Sequence, residues 1–248
     1  MISRETLDNP RAEPAAVRRT LADIARLNAL FGGTRAVLEA LEPVFTRACD
    51  GQRATDHVRW TLLDVGTGSG DIARAAARAA RRHGIDLTPV GIELNPTAAR
   101  AARAGGVRSI IGDGNQLPLG PRSVDVIVAS QVLHHLPRTV AVRWIASFDR
   151  LARRAVVLAD LRRSRIAMAG VWLVSFALGM SGVTRRDAVV SLRRGYTKRE
   201  FNGMLGEARV PAVARCRPGF RIVAAWEPSA TSLQRQSSAA PSPLTADG

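Results

Sequence analysis

An α/β fold on a doubly wound, mostly parallel sheet is what this 248-residue sequence predicts. Three observations carry that expectation. Short runs of branched and apolar residues alternate with helical patterns along most of the chain. Those runs lack the in–out alternation of a half-exposed sheet, so both faces are expected to be buried. The first run feeds through a glycine-rich loop into a helix, the kind of junction at which such sheets hold ligands.

The elements follow in order. Trp60–Val65 ("WTLLDV") reads as a strand, and "DIARAAARAARRHG" as a helix stopped by Gly84. Thr88–Leu94 is a second strand. Asn95 and Pro96 then supply an N-cap and a first-turn proline for a helix to about Ala104. "VRSIIGD" and "SVDVIVAS" are the third and fourth strands. A helix from about Arg138 to Leu151 precedes the fifth, Ala155–Leu161. Thr197 and Glu200 form a capping-box pattern at the start of a late helix, and "GFRIVAAWE" closes as a strand.

A single domain is expected over residues 17–228. The polar ends, 1–16 and 229–248, are expected to be disordered tails. Residues 17–48 are expected to form a helical lid. Leu21, Ile24, Leu27 and Leu30 keep helical spacing, Gly32 and Gly33 break it, and Val37, Leu38 and Leu41 restart it. Arg26, Asn28 and Arg35 are its candidates to reach inward.

Residues 162–195 are expected to be a substrate-lining insertion, with Arg194 and Tyr196 bordering the pocket. Within them Ile166–Thr184 carries no charge and is flanked by Arg162, Arg163 and Arg165 and by Arg185 and Arg186. Its three glycines and two serines make a poor membrane span, so membrane contact without spanning is the most it implies. Met168, Trp172, Phe176 and Met180 are expected to form an adaptable apolar wall, with Trp172 or Phe176 facing the cleft.

The formal net charge is +15, almost all of it arginine, with Lys198 the single lysine. A basic surface can attract nucleic acid, anionic lipid or an acidic substrate. Scattered arginines and no visible RNA-binding module point instead to compositional bias, and nucleic acid is not an expected partner. Cys49 and Cys216 make neither a disulfide framework nor a metal spacing, and no metal is expected. The polar N-terminus lacks the apolar core of a signal peptide, so the expected compartment is the cytoplasm.

Chemistry should collect beyond the carboxyl ends of the strands. Asp64, Gly66, Thr67, Gly68 and Gly70 follow the first, Glu93 and Leu94 the second, and Asp113, Gly114 and Asn115 the third. Ser130, Gln131, His134 and His135 follow the fourth. Acids after three successive strands suit a ligand bearing hydroxyl and amine donors. A dinucleotide loop would place glycine where Asp71 stands, and a carboxylate there sits poorly with a pyrophosphate. The Lys and Ser/Thr partners of a P-loop are missing as well. A nucleoside with a short zwitterionic chain and no phosphate remains.

"LLDVGTGSG", "VGIELNP", "IIGDGNQLPL" and "SVDVIVASQVLHHLP" resemble the four successive motifs of class I S-adenosylmethionine-dependent methyltransferases, in the family's order and spacing. The resemblance covers roughly Arg59 to Leu161 and extends more weakly to Glu227. "GTGSGD" with a later "HHLP" is similar to the small-molecule branch, near the ubiquinone and menaquinone C-methyltransferases and natural-product methyltransferases. It implies a Rossmann-like seven-stranded sheet and S-adenosylmethionine as cofactor.

It also implies roles. The loop Gly66-Thr67-Gly68-Ser69-Gly70 would let the backbone pass close to the methionine portion and ribose. Asp64 would hold the amino group and Glu93 both ribose hydroxyls. Asp113 would accept from the adenine amino group, with Gly114 and Asn115 beside the ring and Leu94 and Leu117 as its walls. Ser130 and Gln131 would face the methyl-sulfonium. His134 and His135 are the candidates for a base or substrate contact, since His57 and His83 fall elsewhere. The expected activity is O- or C-methylation of a small apolar or aromatic acceptor, such as a polyketide, phenol or quinone precursor. An RNA or protein methyltransferase is the alternative, though Ser130-Gln131-Val132-Leu133 stands where amino-methylating enzymes carry N-P-P-[FYW]. A non-catalytic cofactor-binding protein would favour a ruined loop, and this loop is intact.

Overall fold

The computed structural model describes residues 5–9, 11–49 and 58–228. The 229–248 tail, His57 and the Cys49 side chain lie outside the described residues. Helices α1 (Pro14–Leu30) and α2 (Gly33–Cys49) lead into β1 (Val58–Val65), α3 (Asp71–Arg81) and β2 (Ile85–Glu93). Then come α4 (Pro96–Ala104), β3 (Arg108–Ile111), β4 (Val124–Ser130), α5 (Arg138–Leu151) and β5 (Ala152–Leu161). Helices α6 (Arg165–Ala177), α7 (Gly182–Arg194) and α8 (Lys198–Glu207) precede β6 (Arg215–Arg217) and β7 (Arg221–Trp226).

The seven strands lie in the order β3-β2-β1-β4-β5-β7-β6. β1 to β5 are parallel, and β7 runs antiparallel to both β5 and β6. The chain winds outward from β1 through β2 to β3, then returns to the other side of β1 with β4. That reversal opens a crevice beyond the carboxyl ends of β1 and β4, where ligands of open α/β sheets bind.

Both faces of the sheet are covered, as the unbroken apolar runs require. β4 is buried along its whole length. Val126 and Val128 join one core cluster with Phe45 of α2 and Ala76 of α3. Ile127 and Ala129 join the other with Phe148 of α5 and Phe201 of α8. Asn95 caps α4 by accepting from the Thr97 and Ala98 amides at 2.9 and 3.2 Å. Thr197 and Glu200 close the capping box of α8.

Three expectations change. α2 is a core helix and not part of a lid, because Val37, Leu41 and Phe45, four apart, are fully buried against the sheet layer. α1 alone reaches over the strand ends, packing Val17 and Leu21 on Ala98 of α4. The uncharged run Ile166–Thr184 is two helices, broken at Gly179, whose φ of +62° ends a helix without steric cost. Residues 5–9 and 11–16 are part of the fold and not a disordered tail. A 3-10 turn at Thr6–Asp8 is tied down by Thr6 donating to Asp187 Oδ2 at 3.0 Å from its amide and 2.7 Å from its hydroxyl. Among the described residues, no helix is long and apolar enough to cross a membrane.

Candidate active site

The loop after β1 turns sharply. Gly66 and Gly68 have φ of +75° and +55°, which residues with a Cβ rarely adopt. The Gly66 and Thr67 amides donate to the Ile92 carbonyl at 2.8 and 3.2 Å, fixing the loop against β2. The Gly68 amide donates to Glu93 Oε2 at 2.9 Å, and the Asn95 amide to Glu93 Oε1 at 2.9 Å. Glu93 is thereby held at the rim of the loop. Each of its oxygens keeps a second lone pair for a ligand hydroxyl. Burial raises its pKa, partly countered by those two amides.

Asp64 is buried at the end of β1, and Thr67 Oγ1 donates to its Oδ2 at 2.8 Å. Burial pushes its pKa from 3.8 up to about 7; the Thr67 hydrogen bond opposes this, and Asp71 and Glu93 add to it. The carboxyl is therefore poised to ionise when a cation arrives beside it. Asp113 Oδ1 accepts from the Asn115 amide at 2.9 Å and its side-chain nitrogen at 2.7 Å. Asn115 Oδ1 in turn accepts from Trp144 Nε1 at 2.8 Å.

Gly66, Gly68, Glu93, Leu94, Asp113, Gly114 and Asn115 line one cleft of about 720 Å³. The sequence placed these seven at one site, and the structure brings them together. Asp64 and Gly70, also expected there, do not line it. Leu117 is a further exception. It packs against the core cluster around Trp144 and does not line the cleft.

A second cavity lies beneath α1. Leu21, Ile24 and Leu27 of α1 face Leu161, Ala167, Val171 and Leu192 across it. Ser130 and Thr67 also line it. Gly66, Gly68, Gln131, His134 and His135 line both cavities, so the two meet at the loops after β1 and β4. Gln131 holds a φ of +56°, uncommon for a residue with a side chain and found where function constrains the backbone. Its Nε2 donates to Asn28 Oδ1 at 2.7 Å, and Arg221 Nη2 donates to the same oxygen at 3.2 Å. Asn28 does reach inward from α1. Arg26 and Arg35 do not; both are exposed, Arg26 pairing with the buried Asp23 and Arg35 with Glu39.

His134 is buried, as is its partner Asp160 at the end of β5. Its Nδ1 lies 2.6 Å from Asp160 Oδ1, and its amide donates to Oδ2 at 3.2 Å. The Leu161 amide also donates to Oδ1, at 2.7 Å. Burial alone would raise the Asp160 pKa; the His134 charge and hydrogen bond outweigh it and hold the carboxyl below its usual range. An ionised Asp160 can only accept, so Nδ1 carries a proton toward it, and in the neutral form of the ring Nε2 is left with the lone pair. That Nε2 is buried and has no hydrogen-bond partner.

His135 stacks beside it, ring centroids 4.1 Å apart, and faces the N-terminal turn. Its Nδ1 is 2.7 Å from Asp8 Oδ1. Burial would lower the His135 pKa, but Asp8 and Glu5 more than reverse it. Arg194 Nη1 donates to Glu5 at 3.1 Å and Asp8 at 3.3 Å. Burial opposes ionisation of Asp8, and His135 and Arg194 overcome it, holding the carboxyl far below its usual range. Among the described residues, Glu5, His134 and His135 offer ligand atoms within 4.8 Å of one another, a spacing that would admit a cation. The Arg194 guanidinium already fills part of that role toward Glu5.

Two expectations fail here. Trp172 and Phe176 face solvent, 50% and 66% exposed, and neither lines a cavity. Ala167, Val171 and Ser175 take the inward face of α6 at four-residue spacing, which turns both aromatics outward. Tyr196 does not border the pocket; its hydroxyl donates to the Leu133 carbonyl at 2.8 Å, and burial raises its pKa. Asp160, Glu5, Asp8 and Arg221 went unread in the sequence. Extending the strand-end rule to β5 would have found Asp160.

Comparison with known proteins agrees with this geometry. Residues 62–155 match the family model described as a methyltransferase domain. A protein from Mycobacterium sp. (strain JLS), called an uncharacterized methyltransferase, is 38% identical over 120 residues, 47% of this chain and 42% of that one. The phthiotriol/phenolphthiotriol dimycocerosates methyltransferase of Mycobacterium leprae is 32% identical over 143 residues, 54% of this chain and 49% of that one. The chain thus spans less than half the length of either relative. Among solved structures, PigF with SAH shares the fold at a TM-score of 0.58 and 18% identity, over 92% of this chain and 63% of that one.

Proposed function

We propose that this chain is a class I methyltransferase, a reading supported by its match to a methyltransferase domain over residues 62–155, and that it uses S-adenosylmethionine to methylate a hydroxyl on a small apolar acceptor. The cofactor reading is supported by the cleft itself. Its polar lining is a set of carboxylate acceptors at successive strand ends, with no phosphate-binding lysine.

In this reading Asp64 receives the amino group, Glu93 the two ribose hydroxyls and Asp113 the adenine amino group. Gly66, Gly68 and Gly70 let the chain pass close, with Thr67 bracing Asp64. Leu94, Gly114 and Asn115 border the base. Ser130 and Gln131 stand at the junction with the second cavity. Bound cofactor would supply an electrophilic methyl group and depart with the C–S bonding pair. Everything else falls to alignment and proton removal.

The observation that carries O-methylation is the Asp160–His134 pair with its unpartnered Nε2 between the two cavities. Asp160 fixes the tautomer, and His134 Nε2 takes the acceptor's hydroxyl proton as oxygen bonds to the methyl carbon. His135, clasped by Asp8, serves as a contact and not as the base. Across the cavity from Ile24, the short side chains of Ala167 and Val171 leave room for an apolar group. A cytoplasmic setting, in which the exposed Cys216 stays a free thiol, belongs to the same reading.

Incubation with methyl-labelled S-adenosylmethionine and a panel of phenols, hydroxylated lipids, quinones and tRNA tests it. Label on the oxygen of a small apolar acceptor is expected. Label on tRNA alone, or on carbon alone, would reject the O-methylation reading.

A further inference from the structure

Helix α6 is apolar on both sides. Ala167, Val171 and Ser175 face inward and are buried. Ile166, Trp172, Leu173 and Phe176 face outward, 77%, 50%, 62% and 66% exposed. A helix apolar all round normally lies inside a protein. Among the described residues nothing covers the outer face of α6, and Leu178 and Val183 extend the patch toward α7.

The charges around that face are of one sign. No Asp or Glu occurs between Asp160 and Asp187, while Arg162, Arg165 and Arg185 border the run. Asp187 itself is engaged by Thr6. Trp172 and Phe176 stack with centroids 6.3 Å apart, and the Arg185 guanidinium carbon lies 5.0 Å from the Phe176 ring. An exposed aromatic centre flanked by arginines, on a run without acids, has the chemistry of a surface that meets an anionic bilayer. Thirteen helical residues extend about 20 Å, short of a roughly 30 Å hydrocarbon core, so α6 can lie on a bilayer and not cross it.

The inner face of the same helix supplies Ala167 and Val171 to the apolar cavity. One helix thus has a wall of the acceptor cavity behind it and an uncovered apolar surface in front. We propose that α6 and the start of α7 dock the protein on an anionic lipid surface, so that an amphiphilic acceptor can pass from the bilayer into the cavity behind α6. Docking stands apart from the chemistry; the passage of the acceptor rests on the methyl-transfer reading above.

Trp172 makes a built-in reporter, because Trp60, Trp144 and Trp226 are all buried. The full chain is floated with vesicles of phosphatidylglycerol and phosphatidylcholine in equal parts, and with phosphatidylcholine alone. Binding at least about tenfold stronger to the anionic vesicles, weakened by salt, is expected, with a blue shift of tryptophan emission. Trp172→Phe should keep binding and lose the shift. A Leu173→Glu, Phe176→Glu variant should lose binding about tenfold or more while keeping its circular dichroism and S-adenosylhomocysteine affinity. Failure of the parent to float, undiminished flotation of the double variant, or binding without a Trp172 shift each overturns the proposal. So does a lipid-free dimer that the double variant dissociates, which would make the patch a contact between copies. S-adenosylhomocysteine titration reads the methyl-transfer assignment separately, so either can fail alone.

Discussion

The two cavities are built in opposite ways. The cleft beyond β1, β2 and β3 draws on short segments whose own sequences set their shape. The loop needs its glycines, Glu93 is held by the Asn95 amide two residues on and by the Gly68 amide of the loop after the adjacent strand, and Asp113 is braced by Asn115. The apolar cavity is assembled from residues far apart in the chain. Glu5 reaches Arg194, Gln131 reaches Asn28, and Arg221 reaches Asn28, each across more than 100 positions. The first region reads as a receptacle for one fixed ligand. The second is where an acceptor would be chosen and deprotonated.

The sharpest way to break that division is at His134. His134→Asn retains an N–H for Asp160 but removes the Nε2 lone pair. Turnover with a hydroxyl acceptor should fall about 10²–10⁴-fold, the usual range for a lost general base. S-adenosylhomocysteine affinity, measured by calorimetry, should stay within about twofold, since Asp160 would remain paired. Equal turnover in a folded variant would leave His134 with a packing role only.

The reverse substitution comes next in size. Glu93→Ala should cost about 1–3 kcal/mol of cofactor affinity, because the ligand hydroxyls and the Gly68 and Asn95 amides lose their acceptor. Acceptor KM at saturating cofactor should hold steady. Cofactor affinity equal to the parent's, in a variant that melts normally, would remove Glu93 from the cleft's working set.

The contrast between the regions also explains what could be read in advance. β1, α4, α5 and the strand-end acids announce themselves through adjacent residues, such as the Asn95-Pro96 start of α4. The three-residue β6 carries too short a pattern to signal a strand. The burial of α2 depends on what packs against it, and the outward turn of Trp172 depends on which face of α6 the cavity claims. The apolar character of Ile166–Thr184 was legible, but its direction was not. The Asp8–His135 and Glu5–Arg194 pairs join residues more than 120 positions apart, and a polar N-terminus gives no sign of them.

Asn28 tests whether the second region is coupled as a unit. Its single oxygen takes both Gln131 Nε2 and Arg221 Nη2. Burial lowers the Arg221 pKa to about 10, against the pull of Asp160. Asn28→Ala strips this buried guanidinium of an acceptor and should cost about 1–2 kcal/mol of stability in denaturant melts. Acceptor KM should rise, because Gln131 is released at the junction, while S-adenosylhomocysteine affinity should not follow it. A parallel loss of cofactor affinity would show the two cavities to be one cooperative site.

The smallest expected effect is a pH dependence confined to the first region. Asp64 has its pKa raised from 3.8 to about 7 by burial. Without ligand, the folded protein holds that proton over a range where the unfolded chain has lost it. Asp64 therefore lowers the stability of the ligand-free protein as pH rises from about 4 to about 7. A cofactor ammonium needs the ionised carboxylate, so affinity should move the opposite way. Between pH 6 and pH 8 it should rise by up to about tenfold, or about 1.4 kcal/mol. Thermal melts with and without S-adenosylhomocysteine at the two pH values read both effects. The ligand-induced shift should be larger at pH 8 in the parent and small at both pH values in Asp64→Asn. The ligand-free Asp64→Asn variant should gain stability over the parent at pH 8, since no buried carboxylate remains to be charged. A parent whose ligand response is flat across this range would mean that Asp64 is already ionised, or that the amino group is held elsewhere in the cleft.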